Sequence, residues 1–211
     1  MGWVDPITRA VVPPHHMAST KLRDEDNGYS SGRIYARSDN PTFDHAEATL
    51  TALEGGAKSL IFSSGMSAAT ACFLALAPGD HVVTSKVMYW ALRNWLMTFA
   101  TQWGLKVEFV DTDKTDQVAA AVKPGVTKLV WIETPSTPLL RITDLRFVID
   151  AAHKAGALVV VDNTFLSPAL QRPIADFDAD FVVHSTTKYI NGHSDVVGGA
   201  VVARDQAQHE L

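Results

Sequence analysis

Residues 157–163 read Ala157-Leu158-Val159-Val160-Val161-Asp162-Asn163, and this stretch decides the fold class. Five apolar residues without polar alternation describe a strand buried on both faces, and such strands belong to parallel sheets covered by helices. Asp162 stands at the carboxyl end of the run, where open α/β sheets bind their ligands. Downstream, residues 180–199 read DFVVHSTTKYINGHSDVVGG. There a second apolar run, Phe181 to Val183, stops in the hydroxyls Ser185, Thr186 and Thr187, and Lys188 follows at once. Twenty-six positions separate Asp162 from Lys188, room for a loop and one more strand.

Working outward, Leu145, Val148, Ile149 and Ala152 repeat at helical spacing between Thr143 as N-cap and Gly156 as C-cap, and this helix feeds the Asp162 strand. Lys106 to Val110 and Lys128 to Ile132 read as strands separated by a helix near Asp116 to Val122, which Pro124-Gly125 closes. His81 to Thr84 is a strand followed by a helix over Met88 to Trp103. Ser59 to Phe62 is a short strand leading through Ser63-Ser64-Gly65-Met66-Ser67 into a helix over Ala68 to Leu76. A further helix over Phe43 to Leu53 ends at Gly55-Gly56, and Ala200 to Ala203 reads as a strand. Strands alternating with helices at this spacing specify an α/β domain with a mostly parallel sheet and right-handed crossovers. Residues 1–31 show little periodicity and read as an irregular arm.

Hydroxyls beside a lysine at a strand end serve an anion and an amine nucleophile together. A small-residue turn such as Ser64-Gly65-Met66, placed between strand and helix, presents backbone N–H groups and a positive dipole end to an anion. A carboxylate such as Asp162 can pair with a protonated pyridine nitrogen. Pyridoxal phosphate (PLP) needs all three: donors for its phosphate, an amine to form a Schiff base with its aldehyde, and a carboxylate that keeps its ring an electron sink.

Composition excludes other classes. A net charge of −5 without a basic run argues against nucleic acid. No stretch approaches the apolar length that spans a bilayer, and the first twenty residues lack the apolar centre of a secretory signal, so a cytoplasmic location is expected. Cys72, the one cysteine, lies among Ala71, Phe73 and Leu74 and reads as an inert buried thiol. Gly192-His193-Ser194-Asp195 fails as a hydrolase nucleophile elbow because position 196 is valine. His15, His16 and His184 lack ligand spacing, so no metal is expected, and His153 reads as a surface residue without a partner.

Asp162-Asn163-Thr164-Phe165, Leu170-Gln171-Arg172-Pro173 and the run His184 to Gly199 closely resemble the Cys/Met metabolism family of PLP enzymes, the transsulfuration group of cystathionine γ-synthases and lyases. The resemblance covers nearly the whole chain from Ala10 onward. It implies the large domain of the fold type I, aspartate aminotransferase-like PLP transferases. It also implies that Lys188 is the Schiff-base lysine and proton shuttle, that Asp162 pairs with the ring nitrogen, and that Ser64, Gly65, Met66, Ser185 and Thr187 bind the phosphate. Tyr89 would stack on the ring and act in proton transfer. Tyr35 and Arg37, within GRIYARSDNPT at 32–42, would reach a neighbouring subunit's cofactor phosphate, which implies a homo-oligomer. Residues 1–42 would then form a partner-reaching arm and residues 43–211 the PLP-binding domain. The implied substrate is a sulfur-containing or O-activated homoserine amino acid, undergoing β- or γ-elimination or γ-replacement by a thiol.

The sequence departs from the family pattern in three places. Trp90-Ala91-Leu92 stands where small residues usually follow the tyrosine, so the indole is expected to reshape the substrate side of the pocket. No cysteine follows Tyr89, which speaks against methionine γ-lyase. In Glu133-Thr134-Pro135-Ser136-Thr137-Pro138, Thr137 replaces an asparagine that in the family bonds the cofactor's phenolic oxygen, and a hydroxyl reaches less far than an amide. Family members continue past the lysine into a further domain that supplies an arginine for the substrate α-carboxylate, whereas the sequence stops at Leu211. Two expectations follow: the cofactor-binding portion of a transsulfuration enzyme, or an inactive fragment that binds PLP or dimerises without turnover.

Overall fold

A computed structural model describes residues 3–209. The chain divides into two compact units, the first running to Thr49 and the second starting at Leu50, with the division inside helix α1 (Pro41–Glu54). Up to α1 the first unit is built of turns and one antiparallel bridge, Thr20 to Tyr35. Within it Arg33 pairs with Asp39 and, at 2.6 Å, with Asp44.

The second unit is a seven-stranded sheet. Its strands are β1 (Lys58–Phe62), β2 (His81–Ser85), β3 (Lys106–Val110), β4 (Thr127–Glu133), β5 (Leu158–Asp162), β6 (Phe181–His184) and β7 (Gly199–Ala203), in the spatial order β1-β7-β6-β5-β4-β2-β3. The five strands from β2 to β6 pair in parallel, and β7 is antiparallel to both its neighbours. Side-chain alternation splits the core in two. Val83, Val130, Ile132, Val159 and Val161 face α5 (Thr115–Ala121) and α6 (Leu145–Lys154), while Val82, Leu129, Trp131, Val160 and Val183 face α2 (Gly65–Leu74) and α3 (Trp90–Trp95). The continuous apolar runs are thus explained by helices on both faces. Between β2 and β4 the strand order reverses direction, which opens a crevice at the carboxyl ends of the strands.

Four details differ from the sequence expectations. The helix expected over Met88 to Trp103 is three pieces: α3, a π-helical turn Leu96–Ala100 and α4 (Thr101–Trp103). At that turn the Thr101 hydroxyl donates to the Leu96 carbonyl at 2.8 Å, five residues back. Asp144 caps α6, accepting the Phe147 N–H at 3.1 Å, because the Thr143 hydroxyl is engaged with Thr112 at 3.0 Å. Two short helices, α7 (Ser167–Leu170) and α8 (Pro173–Phe177), fill the connection from Asp162 to β6 beyond the single loop expected. His153 has a partner after all, Asp180 at 2.8 Å, on a carboxylate that Arg204 and the Gln208 amide of α9 (Gln206–His209) also reach.

A polar cluster underpins the ends of β5 and β6. Glu54 and His184 are wholly buried and lie 2.6 Å apart, and the same Glu54 oxygen accepts from the Asn163 amide at 3.0 Å. Asn163 follows Asp162 and His184 precedes Ser185, so the cluster fixes both strand ends from the face opposite the crevice. Removing one member strands the others without water. Glu54→Ala is expected to lower unfolding stability by about 3–5 kcal/mol, read from urea unfolding midpoints.

Candidate functional site

A cavity of about 320 Å³ opens at the crevice, and its lining gathers Ser64, Gly65 and Met66 from the start of α2, Tyr89 before α3, Asp162 at the end of β5, and Ser185, Thr187 and Lys188 after β6. All its lining residues come from the second unit. Tyr35 and Arg37 belong to the first unit, where the Arg37 guanidinium lies 5.2 Å from the Tyr35 ring centroid.

The start of α2 is arranged to receive an anion. Ser64 caps the helix by accepting the Ser67 N–H at 3.0 Å, which leaves the N–H groups of Gly65 and Met66 as the remaining orphan donors of the first turn. Glycine at 65 is enforced by packing: a Cβ there would stand 2.5 Å from the Ser185 Cβ and 2.9 Å from its Cα. A Cβ on Gly199 would meet the Ser64 carbonyl oxygen at 2.1 Å, so β7 too must pass under this turn without a side chain. The Thr187 hydroxyl is placed by Gly198, donating to its carbonyl and accepting its N–H, both at 3.1 Å. This cradle of backbone and hydroxyl donors around a glycine suits a phosphate.

Asp162 is oriented by Thr164, whose N–H donates to Oδ1 at 3.0 Å and whose hydroxyl donates to the same oxygen at 2.5 Å. The Thr164 hydroxyl in turn accepts the Ser185 N–H at 2.9 Å, which links the carboxylate to the hydroxyl loop. Burial raises the Asp162 carboxyl above its ordinary value, against the Thr164 bonds and the His184 charge, which lower it. Asp162 and Lys188, distant in sequence, face one cavity, as a ring cofactor held by both ends requires.

Sequence reading missed Glu133 and Thr164, both of which line the cavity. Glu133 ends β4 directly opposite Asp162 in the register and is 3 % exposed. It accepts the Tyr89 N–H at 2.7 Å and the Thr137 N–H at 2.6 Å. Burial first, and the Asp162 charge second, push its carboxyl up to about 7. The available signals were position alone: Glu133 ends a strand as Asp162 does, and Thr164 follows Asp162 by two. Thr137 also lines the cavity. Trp90 does not reshape it: the indole is 72 % exposed and lies outside the lining, because one step along α3 turns it away from the direction of Tyr89. Burial pushes the Cys72 thiol up to about 12, so it is no nucleophile. Among the described residues no group of three or more His, Cys, Asp or Glu could hold a metal, and no helix is long and apolar enough to cross a membrane.

Comparison with known proteins gives a consistent result. The profile of the family described as "Cys/Met metabolism PLP-dependent enzyme" matches residues 4–211. A cystathionine γ-synthase of Mycobacterium tuberculosis is 46% identical over 208 residues, covering 98% of this chain and 53% of the relative. A cystathionine γ-lyase of Bacillus subtilis is 44% identical over 198 residues, covering 94% of this chain and 52% of the relative. The crystal structure of cystathionine γ-synthase from Xanthomonas oryzae pv. oryzae in complex with aminoacrylate and cysteine superposes with a TM-score of 0.86 at 51% identity, covering 98% of this chain and 53% of the other. The chain therefore spans about half the length of the relatives it matches.

The two raised carboxyls give a pH dependence of definite sign. Between the ordinary carboxylate range and about 7 the folded chain holds protons that the unfolded chain has released, so stability falls as pH rises through that window. The urea midpoint of the cofactor-free protein is expected to drop from about pH 5 to about pH 7, by an amount equivalent to up to ~3 kcal/mol, and Glu133→Gln to flatten the slope.

Proposed function

Because the chain belongs to the Cys/Met metabolism PLP-dependent enzyme family, we propose that its cavity holds PLP for transsulfuration chemistry on sulfur-containing or O-activated homoserine amino acids, by γ-replacement or by β- or γ-elimination. One observation carries the proposal: a single cavity is lined by an amine, Lys188, a carboxylate, Asp162, and an anion cradle, the start of α2 with Ser185 and Thr187. When bound, the cofactor supplies an electron-withdrawing ring that accommodates negative charge developing on the substrate carbon.

The remaining tasks fall to the chain itself. The N–H groups of Gly65 and Met66, with the hydroxyls of Ser185 and Thr187, bind the phosphate. The carboxylate of Asp162, aimed by Thr164, keeps a proton on the ring nitrogen. Tyr89 packs on the ring face, and its hydroxyl and the Lys188 amine hold and move protons at the substrate's α and β carbons. Phe165 and Val197 on the lining exclude water from the apolar side. Tyr35 and Arg37 serve the phosphate of a neighbouring copy in a homo-oligomer, the guanidinium fork matching two phosphate oxygens.

Both cofactor attachment and turnover are measurable. Incubation with PLP, borohydride reduction and peptide mapping are expected to place the label on Lys188 and to find none after Lys188→Arg; a label on another residue defeats the proposal. Turnover of cystathionine, or of an O-activated homoserine with cysteine, distinguishes the enzyme from a chain that binds cofactor without reaction, the reading favoured by the coverage of only about half of each relative. Gly65→Ala is expected to weaken PLP binding at least ~10-fold in a fluorescence titration, because the added methyl group forces α2 and the Ser185 loop apart.

A further inference from the structure

We propose that Glu133 is a positioning residue, whose carboxylate sets the spacing of the two loops that bound the ring, the loop carrying Tyr89 and the loop carrying Thr137. The inference rests on the cofactor reading above and deepens it. Each carboxylate oxygen takes one backbone N–H, from Tyr89 at 2.7 Å and from Thr137 at 2.6 Å. The first of these bonds crosses between the segments that follow β2 and β4, which is the crevice where the strand order reverses. Both tied residues line the cavity.

The identity of the side chain supports a role beyond filling space. Glu133 is almost wholly buried and sits beside a second carboxylate, Asp162, an arrangement that opposes charge on either. Among the described residues no Lys, Arg or His forms an ion pair with it. Its stabilisation comes from the two N–H groups, and only a carboxylate offers them two acceptors and no donor. Glutamine of the same volume would turn an NH2 toward one N–H and lose that loop. Two adjacent carboxylates also make this wall of the cavity acidic, which suits the protonated ring nitrogen assigned to Asp162.

The test compares wild type and Glu133→Gln with PLP itself as the probe. In the variant the amide of Tyr89 or of Thr137 is expected to exchange with solvent at least ~10-fold faster, the Kd for PLP to rise roughly 10-fold, and the visible circular dichroism per bound cofactor to fall. A variant with lower thermal stability but unchanged Kd and unchanged circular dichroism overturns the proposal, since a merely structural side chain would behave so. Should Glu133→Gln not fold, wild type still decides: slowing of both amides on addition of PLP supports the proposal, and exchange at open-loop rates overturns it. A wild type that takes up no label on Lys188 overturns the cofactor reading and this inference with it, whereas normal uptake with an unaltered variant overturns this inference alone.

Discussion

The parallel register of β4, β5 and β6 is the constraint from which the site follows. It sets Glu133 opposite Asp162 and Asp162 opposite Val183, so the carboxyl ends of three strands finish level with one another. Whatever follows each strand, the Thr137 loop, the Thr164 turn or the Ser185 to Lys188 loop, must then emerge around one point. A slip of one residue along β5 would turn Asp162 to the face of Asn163 and His184 and empty the site of its carboxylate. The register is held because every residue of Val159 to Val161 is buried, on alternating faces, against a different helical layer. Core packing and cofactor geometry are therefore one specification.

Much of this was legible in the residues. Uninterrupted apolar runs gave the buried strands; Gly55 and Gly156 marked helix ends and do adopt the positive φ expected of them. The cavity gathers Ser64, Gly65, Met66, Tyr89, Asp162, Ser185, Thr187 and Lys188, all of them named from sequence. What escaped notice depended on three-dimensional neighbours. Asp144 outcompetes Thr143 as a cap only because Thr143 is drawn into a hydroxyl chain with Thr112, 31 residues away. The π-helical turn needs an off-register carbonyl at Leu96, to which no apolar period points. Glu133 looked like one more strand terminus until its register partner proved to be Asp162. Trp90 misled in the opposite direction, since adjacency in sequence to Tyr89 placed it beside the cavity and helical geometry turned it outward.

The polar side chains of the site are organised in layers. Asp162 is aimed by Thr164, and Thr164 is anchored by the Ser185 N–H. Asn163 and His184 are tied to Glu54 beneath, on the far face of the sheet. Each functional group thus has a neighbour one position away in sequence that is fixed from the opposite side. Such an arrangement resists the rotamer drift that would loosen a cofactor.

The glycine at 199 has a consequence for assembly. Its bare backbone lies against the Ser64 carbonyl, and β7 pairs along the full length of β1, although some 135 residues separate the two segments. The anion cradle at the start of α2 therefore cannot close while the chain is still being extended from its amino end. Its floor arrives only once β7 has been synthesised and has slotted between β1 and β6. Contacts of such long range form slowly, so a nascent chain carries the whole phosphate turn for most of its synthesis as an open edge, competent to bind only when the sheet is complete.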